Sequence, residues 1–175
     1  TKTLSFSLIF LLFNLRALAT SWQKKNMTFK QKIHQQYSQL VQDKIDVFRD
    51  MITALTEDAK NDAKGSAGDK HETALSMMHI EQEKLNHKLG EFMTHKGILD
   101  KINPEITTEK ISLGSLVQAN GMRLYVSLAL PKITVEGQTI IAVSLQSPLG
   151  NELLGKTVGH QFQIHNTTYL VESID

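Results

Sequence analysis

The sequence predicts an α+β protein in which a long antiparallel helical hairpin precedes a small antiparallel β-sheet domain with one short helix. Apolar residues recur every three or four positions over two segments of about 30 residues each, and a run of small residues separates these segments. After Pro104 the composition changes to short β-branched runs that are typical of strands. The helical pattern comes first and the strand-like runs follow it, which indicates an α+β arrangement.

Composition limits the classes of function. The 175 residues include 19 basic and 18 acidic side chains and no cysteine. A formal net charge of +1 gives no overall field for binding nucleic acid through its phosphates. The lack of cysteine excludes a disulfide, a thiolate nucleophile and a cysteine-bound zinc ion. No phosphate-binding loop, nucleophile elbow or metalloprotease helix motif is present, so a free-standing enzyme is not supported.

Residues 1–26 form a leader that we exclude from the fold. Lys2, an apolar run over residues 4–15 and the small residues at 17–19 resemble a secretory signal. The run is too short to span a bilayer as a helix. The alternative is that the protein starts at Met27 and the leader is translated upstream sequence, because a new amphipathic pattern begins directly after it. We favour a start at Met27.

The hairpin is predicted over residues 27–104, with its tip at residues 64–74. The first helix runs from residue 29 to about residue 60, and its apolar face is formed by Ile33, Tyr37, Val41, Ile45, Phe48, Ile52 and Leu55. The second runs from about residue 70 to residue 102, with Ala74, Met78, Leu85, Leu89, Phe92, Leu99 and Ile102. At 1.5 Å per residue each arm reaches about 45 Å.

Residues 105–175 are predicted to form the β domain. Strands are expected at 115–119, 122–130, 139–145, 161–165 and 168–174. Asn120-Gly121 is a strong signal for a two-residue hairpin turn, and Glu136-Gly137 is a weaker one. A short helix is expected over residues 147–156, with Ser147 as its cap, Pro148 in its first position and Gly155 at its end.

Histidines at positions 71, 79, 87 and 95 do not predict a metal site. A spacing of eight residues turns each side chain by roughly 80° relative to the last, so the four do not converge on one ion. His79 and Glu83 are four residues apart, as are His87 and Glu91, so both spacings allow local pairs, and a solvated helix face is expected rather than a metal site.

The predicted tip carries two carboxylates at the start of the second helix. Asp69 and Glu72 are three residues apart, a spacing that places both in the first turn, where the helix dipole tolerates anions. A capping box of Asp69 and Glu72 accounts for both residues without any function. Glu57, Asp58 and Asp62 add negative charge to the same end, which capping does not require.

Two motifs resemble the GreA/GreB family of transcript-cleavage and elongation factors of bacterial RNA polymerase. The tip run at residues 68–74 is similar to the family's Gly-Asp-x-x-Glu-Asn-Ala. The run at residues 144–159 is similar to its Ser-Pro-Leu/Ile…Leu-Leu-Gly-Lys…Gly signature. The order of a coiled coil followed by an FKBP-like β domain also matches. The resemblance covers residues 27–175 and leaves the leader outside.

The resemblance implies a cytoplasmic, monomeric factor with no enzyme activity, cofactor or small-molecule substrate of its own. The β domain would dock at the rim of the polymerase's secondary channel, and the tip would meet nascent RNA only inside the polymerase. Asp69 and Glu72 would help to hold a Mg²⁺ ion shared with the polymerase and stimulate cleavage of backtracked RNA. The implied polymerase-binding residues are Ser147, Pro148, Leu149, Gly150, Leu154, Gly155 and Lys156.

Departures from the family pattern leave alternatives open. Thr73 stands where the family usually has Asn, and the aromatic residue that follows is replaced by Leu75 and its neighbours. The protein could therefore bind the polymerase as a regulator without stimulating cleavage. If the leader acts as a signal peptide, an exported coiled-coil interaction protein is the further alternative. No membrane segment is expected in the mature protein.

Overall fold

The computed structural model describes residues 27–62, 69–164 and 166–175, and within them the protein is α+β. Two long helices precede a six-stranded sheet that carries one short helix. The helices are α1 (Phe29–Asp62), α2 (Asp69–Leu99) and α3 (Pro148–Leu153). The strands are β1 (Leu116–Ala119), β2 (Met122–Ser127), β3 (Ile133–Val135), β4 (Gln138–Ser144), β5 (Gln161–Ile164) and β6 (Thr167–Ile174). None of the helices in these ranges is long and apolar enough to cross a membrane.

Helices α1 and α2 pack along each other in opposite directions, as predicted. The rings of Phe48 and Phe92 lie 5.6 Å apart, and nearer the tip the Gln82 side-chain amide donates to the Thr56 hydroxyl at 3.1 Å. Helix α2 ends at Leu99, earlier than predicted, because the amide of Ile102 donates to the Leu99 carbonyl at 2.9 Å and tightens the last turn. The predicted loop at residues 64–68 lies outside the described ranges.

Helix α1 begins with a capping box that the sequence analysis did not identify. The amide of Gln31 donates to the Thr28 hydroxyl at 3.2 Å, and the Thr28 amide donates to the Gln31 side-chain oxygen at 2.7 Å. Two amides of the first turn are thereby satisfied reciprocally. The start of α1 at Phe29 agrees with the predicted boundary.

The sheet is mixed, so the prediction of an antiparallel sheet is wrong. The strand order is β3-β4-β2-β1-β6-β5, and β2 pairs with β4 in parallel. After β2 the chain crosses to the outer position, runs back as β3, and returns as β4 between β3 and β2. Strand β3 was not predicted. Its turn to β4 uses Glu136 and Gly137 with φ values of 51° and 77°, which agrees with the weaker predicted turn.

The turn between β1 and β2 also agrees with the prediction. Asn120 and Gly121 have φ values of 47° and 73°, as a type I′ turn requires. Asn120 has a second role, because its side chain donates to the Thr168 carbonyl at 2.7 Å and accepts from the Leu170 amide at 2.9 Å. The turn is thereby tied to β6.

The sheet is covered on both faces. One core cluster joins Ile33, Tyr37, Val41 and Ile45 of α1 to strand residues such as Tyr125. The other cluster packs Leu153 of α3 and Phe162 of β5 on the opposite face, with Val117, Leu124, Val126, Val143 and Val171. Neighbouring strand residues alternate between the two clusters, as a pleated sheet dictates. The division at 104/105 remains a prediction, and the first cluster crosses it.

Polar contacts orient the base of the hairpin on the sheet. The rings of Tyr37 and Tyr125 stack at 5.8 Å with an interplanar angle of 6°, and the Tyr37 hydroxyl donates to the Ile140 carbonyl at 3.2 Å. Burial raises the pKa of Tyr37 to about 12. His34 Nδ1 lies 2.9 Å from the Tyr125 hydroxyl, and Lys32 Nζ lies 2.6 Å from a Glu136 carboxylate oxygen. The side chains of α1 therefore contact two different strands and a turn.

We expect acid to weaken this junction through His34. Burial lowers the pKa of His34 from its ordinary value of 6.5, and the charge of Asp100 opposes this only in part. The unfolded chain therefore binds the proton more readily, so the stabilisation is complete above pH 6.5 and falls as the pH drops below it. Urea unfolding at about pH 7.5 and about pH 5.5 should show this loss, and His34→Gln should reduce it. An unchanged pH dependence in His34→Gln would contradict the assignment.

Candidate functional site

The predicted tip acids lie at the end of the hairpin farthest from the sheet. Helix α2 begins at Asp69, so Asp69 and Glu72 occupy its first turn, about 45 Å from its other end at Leu99. Their side chains lie outside the described part of the molecule, so both capping and metal binding stay predictions. At the same end of α1, Glu57 and Asp58 are exposed. Glu57 and Asp58 therefore place negative charge near the outer end of α1, where Lys60 is also exposed.

Several residues of the family-like run at 144–159 have structural roles in α3 and in the loop before it. The Ser147 hydroxyl accepts from the Gly150 amide at 3.1 Å and donates to the Ser144 carbonyl at 2.7 Å, while Pro148 occupies the first helical turn. This is the capping predicted from the sequence. Gly150 packs against the backbone of Ser144 and Leu145 so closely that a Cβ atom there would lie 2.8 Å from the Leu145 Cα. Position 150 therefore has no room for a side chain larger than that of glycine.

The end of α3 is also fixed by the backbone. Gly155 has φ of 74°, and its amide donates to the Ile111 carbonyl at 2.8 Å. The Ile111 amide donates to the Lys156 carbonyl at 2.8 Å. Ile111 is buried in the second core cluster, so these bonds hold the loop after α3 against the sheet domain. Among the predicted polymerase-binding residues, Ser147, Gly150 and Gly155 thus have structural roles.

The loop between α3 and β5 exposes apolar side chains. Leu154 is 47% exposed and Val158 is 56% exposed. Leu113 and Leu170, on neighbouring segments, are 37% and 38% exposed. We call these four residues the loop patch. Of the four, the sequence analysis identified only Leu154. Isolated apolar residues in a turn-rich segment show no repeating pattern from which their burial or exposure could be predicted.

Backbone hydrogen bonds bring the segments of the loop patch together. The bond from Gly155 to Ile111 places the end of α3 beside the segment that carries Leu113. The amide of Gly159 donates to the Val171 carbonyl at 2.8 Å, which places the end of the loop beside β6. Exposed apolar residues on adjoining segments make this surface a candidate for protein binding. Leu154 is the member of the patch that belongs to the family-like motif.

Of the two histidine–glutamate spacings on α2, the structure pairs His87 with Glu91, and within the described residues His79 and Glu83 form no ion pair. His87 Nδ1 lies 3.5 Å from a Glu91 carboxylate oxygen. Lys88 Nζ lies 2.8 Å from the other oxygen of the same carboxylate, and this hydrogen bond lowers the pKa of Glu91. These side chains are largely exposed, so the pair belongs to a solvated helix face.

Comparison with known proteins gives little independent information. No protein-family model matches the sequence, and no curated protein matches it. The solved structure of the transcription factor Gfh1 matches at 20% sequence identity with a TM-score of 0.31, over 78% of this chain and 92% of that chain. A TM-score of this size is no basis for assigning a fold or a function.

Proposed function

We propose that this protein binds a bacterial RNA polymerase and acts on transcription elongation. The observation that carries the proposal is the placement of the two family-like motifs. The tip motif begins α2 at the far end of the hairpin, and the second motif surrounds α3 in the sheet domain at the other end. One motif would reach the polymerase's active centre through the secondary channel while the other docks outside it.

The length and anchoring of the hairpin support this proposal. Its 34-residue first helix extends about 50 Å, and its first four turns are fixed to the sheet by the first core cluster. An arm held at its base delivers its far end to a defined place. A tip on an unanchored helix pair would not be positioned in this way, because an isolated helix pair is only marginally stable.

The chemistry proposed for the tip is stimulated cleavage of backtracked RNA. Two carboxylates are a suitable donor set for Mg²⁺, which prefers oxygen ligands, and Asp69 and Glu72 would hold the ion together with the polymerase. When bound, that ion supplies activation of the attacking water. The protein itself would be no enzyme, since the polymerase would provide the remaining groups.

Thr73 favours a second candidate function. The family usually has Asn at this position, next to the second tip acid, and Thr73 is exposed here. A factor with an altered tip would bind the polymerase and modulate elongation without stimulating cleavage. Both candidates require the same docking surface and differ only in the chemistry at the tip.

A binding experiment tests the part that the two candidates share. We expect Val158→Asp to weaken binding of the full chain to polymerase core enzyme by at least about tenfold, because a charge introduced into the loop patch would be desolvated in the complex. Ile106→Asp is the matched control, since Ile106 is also 56% exposed and lies outside the patch. Titration by fluorescence anisotropy measures both variants.

Two outcomes would contradict these expectations. Equal weakening by the two variants would remove the loop patch as the docking surface. Failure of the unchanged protein to bind the polymerase at micromolar concentration would overturn the proposed function as a whole.

A further inference from the structure

A cavity of about 460 Å³ lies where the start of α1 meets the linker after α2, the start of β1 and the residue after β6. Its walls include the charged residues Lys30, Glu105 and Asp175 and the apolar residues Phe29, Pro104 and Leu116. This volume falls in the range of small-molecule sites, and such sites combine apolar walls with a few fixed polar groups. Neither the tip nor the loop patch uses this cavity.

Lys30 is the unusual member of the lining. It is only 6% exposed, although lysine is rarely buried. Its ammonium group donates to the Ile106 carbonyl at 2.6 Å, and it has no carboxylate within 4.0 Å among the described residues. An ammonium group has three N–H donors, so two remain for another acceptor. Burial lowers the pKa of Lys30, which the charge of Asp175 opposes.

The carboxylates on the other side of the cavity restrict the kind of ligand that could supply an acceptor to Lys30. The Asp175 side chain accepts no hydrogen bond from the described residues, whereas Glu105 accepts from the Gln31 side-chain amide at 3.2 Å. A plain anion on Lys30 would face the Asp175 carboxylate across the cavity. A plain cation at Asp175 would face the Lys30 ammonium. The Glu105 carboxylate adds a second negative charge to the lining, so a ligand that carries both a carboxylate and a neighbouring donor matches these mixed charges better than a plain anion.

We propose that this cavity binds a small carboxylic acid with an adjacent hydrogen-bond donor, that is, an α-amino or α-hydroxy acid. The ligand carboxylate accepts from Lys30, and the neighbouring amino or hydroxyl group donates to Asp175. The side chain of the ligand packs on Phe29, Pro104 and Leu116. This site is independent of polymerase binding, so its failure in an experiment would leave the proposed function unchanged.

Four probes of nearly equal size test the ligand chemistry. L-Alanine and L-lactate carry a carboxylate and an adjacent donor, propionate carries only the carboxylate, and ethylamine carries only the cation. In an NMR titration of the full chain, L-alanine and L-lactate should saturably shift the amide signals of Thr28, Gln31 and Leu116. Propionate and ethylamine should bind at least about tenfold more weakly, since each lacks one of the two charge-assisted hydrogen bonds.

Matched substitutions test the protein side. Lys30→Met should weaken L-alanine binding at least about tenfold, whereas Lys32→Met should leave it unchanged, because Lys32 pairs with Glu136 and does not line the cavity. Asp175 is exposed, so Asp175→Asn should fold even if Lys30→Met does not, and it should weaken L-alanine binding by a similar factor. No saturable shifts with the unchanged protein, equal binding of propionate, or full binding by Asp175→Asn would each overturn the proposal.

Discussion

Asp69→Asn is expected to abolish stimulated RNA cleavage while leaving the thermal stability nearly unchanged. Asparagine caps a helix about as well as aspartate, so the start of α2 should be retained. The substitution removes the negative charge that a magnesium ligand supplies. A stalled-complex cleavage assay measures the activity, and a thermal unfolding scan measures the stability. Loss of activity with retained stability would separate metal binding from capping.

Two controls complete this experiment. Asp58→Asn removes one negative charge from the exposed end of α1 and should keep cleavage at the level of the unchanged protein. Polymerase binding by Asp69→Asn should also be unchanged, because the loop patch is intact. Full cleavage by Asp69→Asn would show that this carboxylate has no catalytic role, and the regulator without cleavage would then be the better description.

Gly150→Ala is expected to lower the free energy of unfolding by about 3 kcal/mol or more. The added Cβ would overlap the Ser144 carbonyl oxygen and lie 2.8 Å from the Leu145 Cα. Both neighbours are backbone atoms at the end of β4, so they cannot turn away as a flexible side chain could. The loop would have to move, at the cost of the hydrogen bonds that Ser147 makes. Urea unfolding gives the change directly.

Gly90→Ala is the matched control and should change stability in the opposite direction. Gly90 lies inside α2 on an exposed face, and a Cβ there would have no atom within 4 Å. Alanine should therefore raise the free energy of unfolding by up to about 1 kcal/mol through helix propensity. If the two variants changed stability alike, close packing at Gly150 would not be the reason for its presence.

The features that the sequence predicted correctly depend on neighbouring residues. The capping by Ser147, the turn at Asn120-Gly121 and the start of α1 at Phe29 each follow from a few residues whose chemistry restricts the local backbone. The helical hairpin follows from a sustained period of three to four, which a long segment displays clearly.

The features that were missed depend on distant residues. Strand β3 has three residues, too few for an alternating pattern to show. The parallel pairing of β2 with β4 depends on where β3 runs, and no local pattern specifies it. The same reason hides the junction at Tyr37 and Tyr125. Each is an ordinary aromatic residue in its own segment, and their stacking appears only when helix and sheet meet.

The junction between hairpin and sheet has a consequence for local unfolding. In α1 the fully buried residues end at Ile45, and the later residues of its apolar face, Phe48, Ile52 and Leu55, are only partly buried. Regions with few buried contacts open at lower free energy than the core. We therefore expect amide hydrogens near Tyr37 to exchange only when the whole domain unfolds, and those near Leu55 to exchange through smaller openings. The base of α1 should thus be the last part of this helix to open.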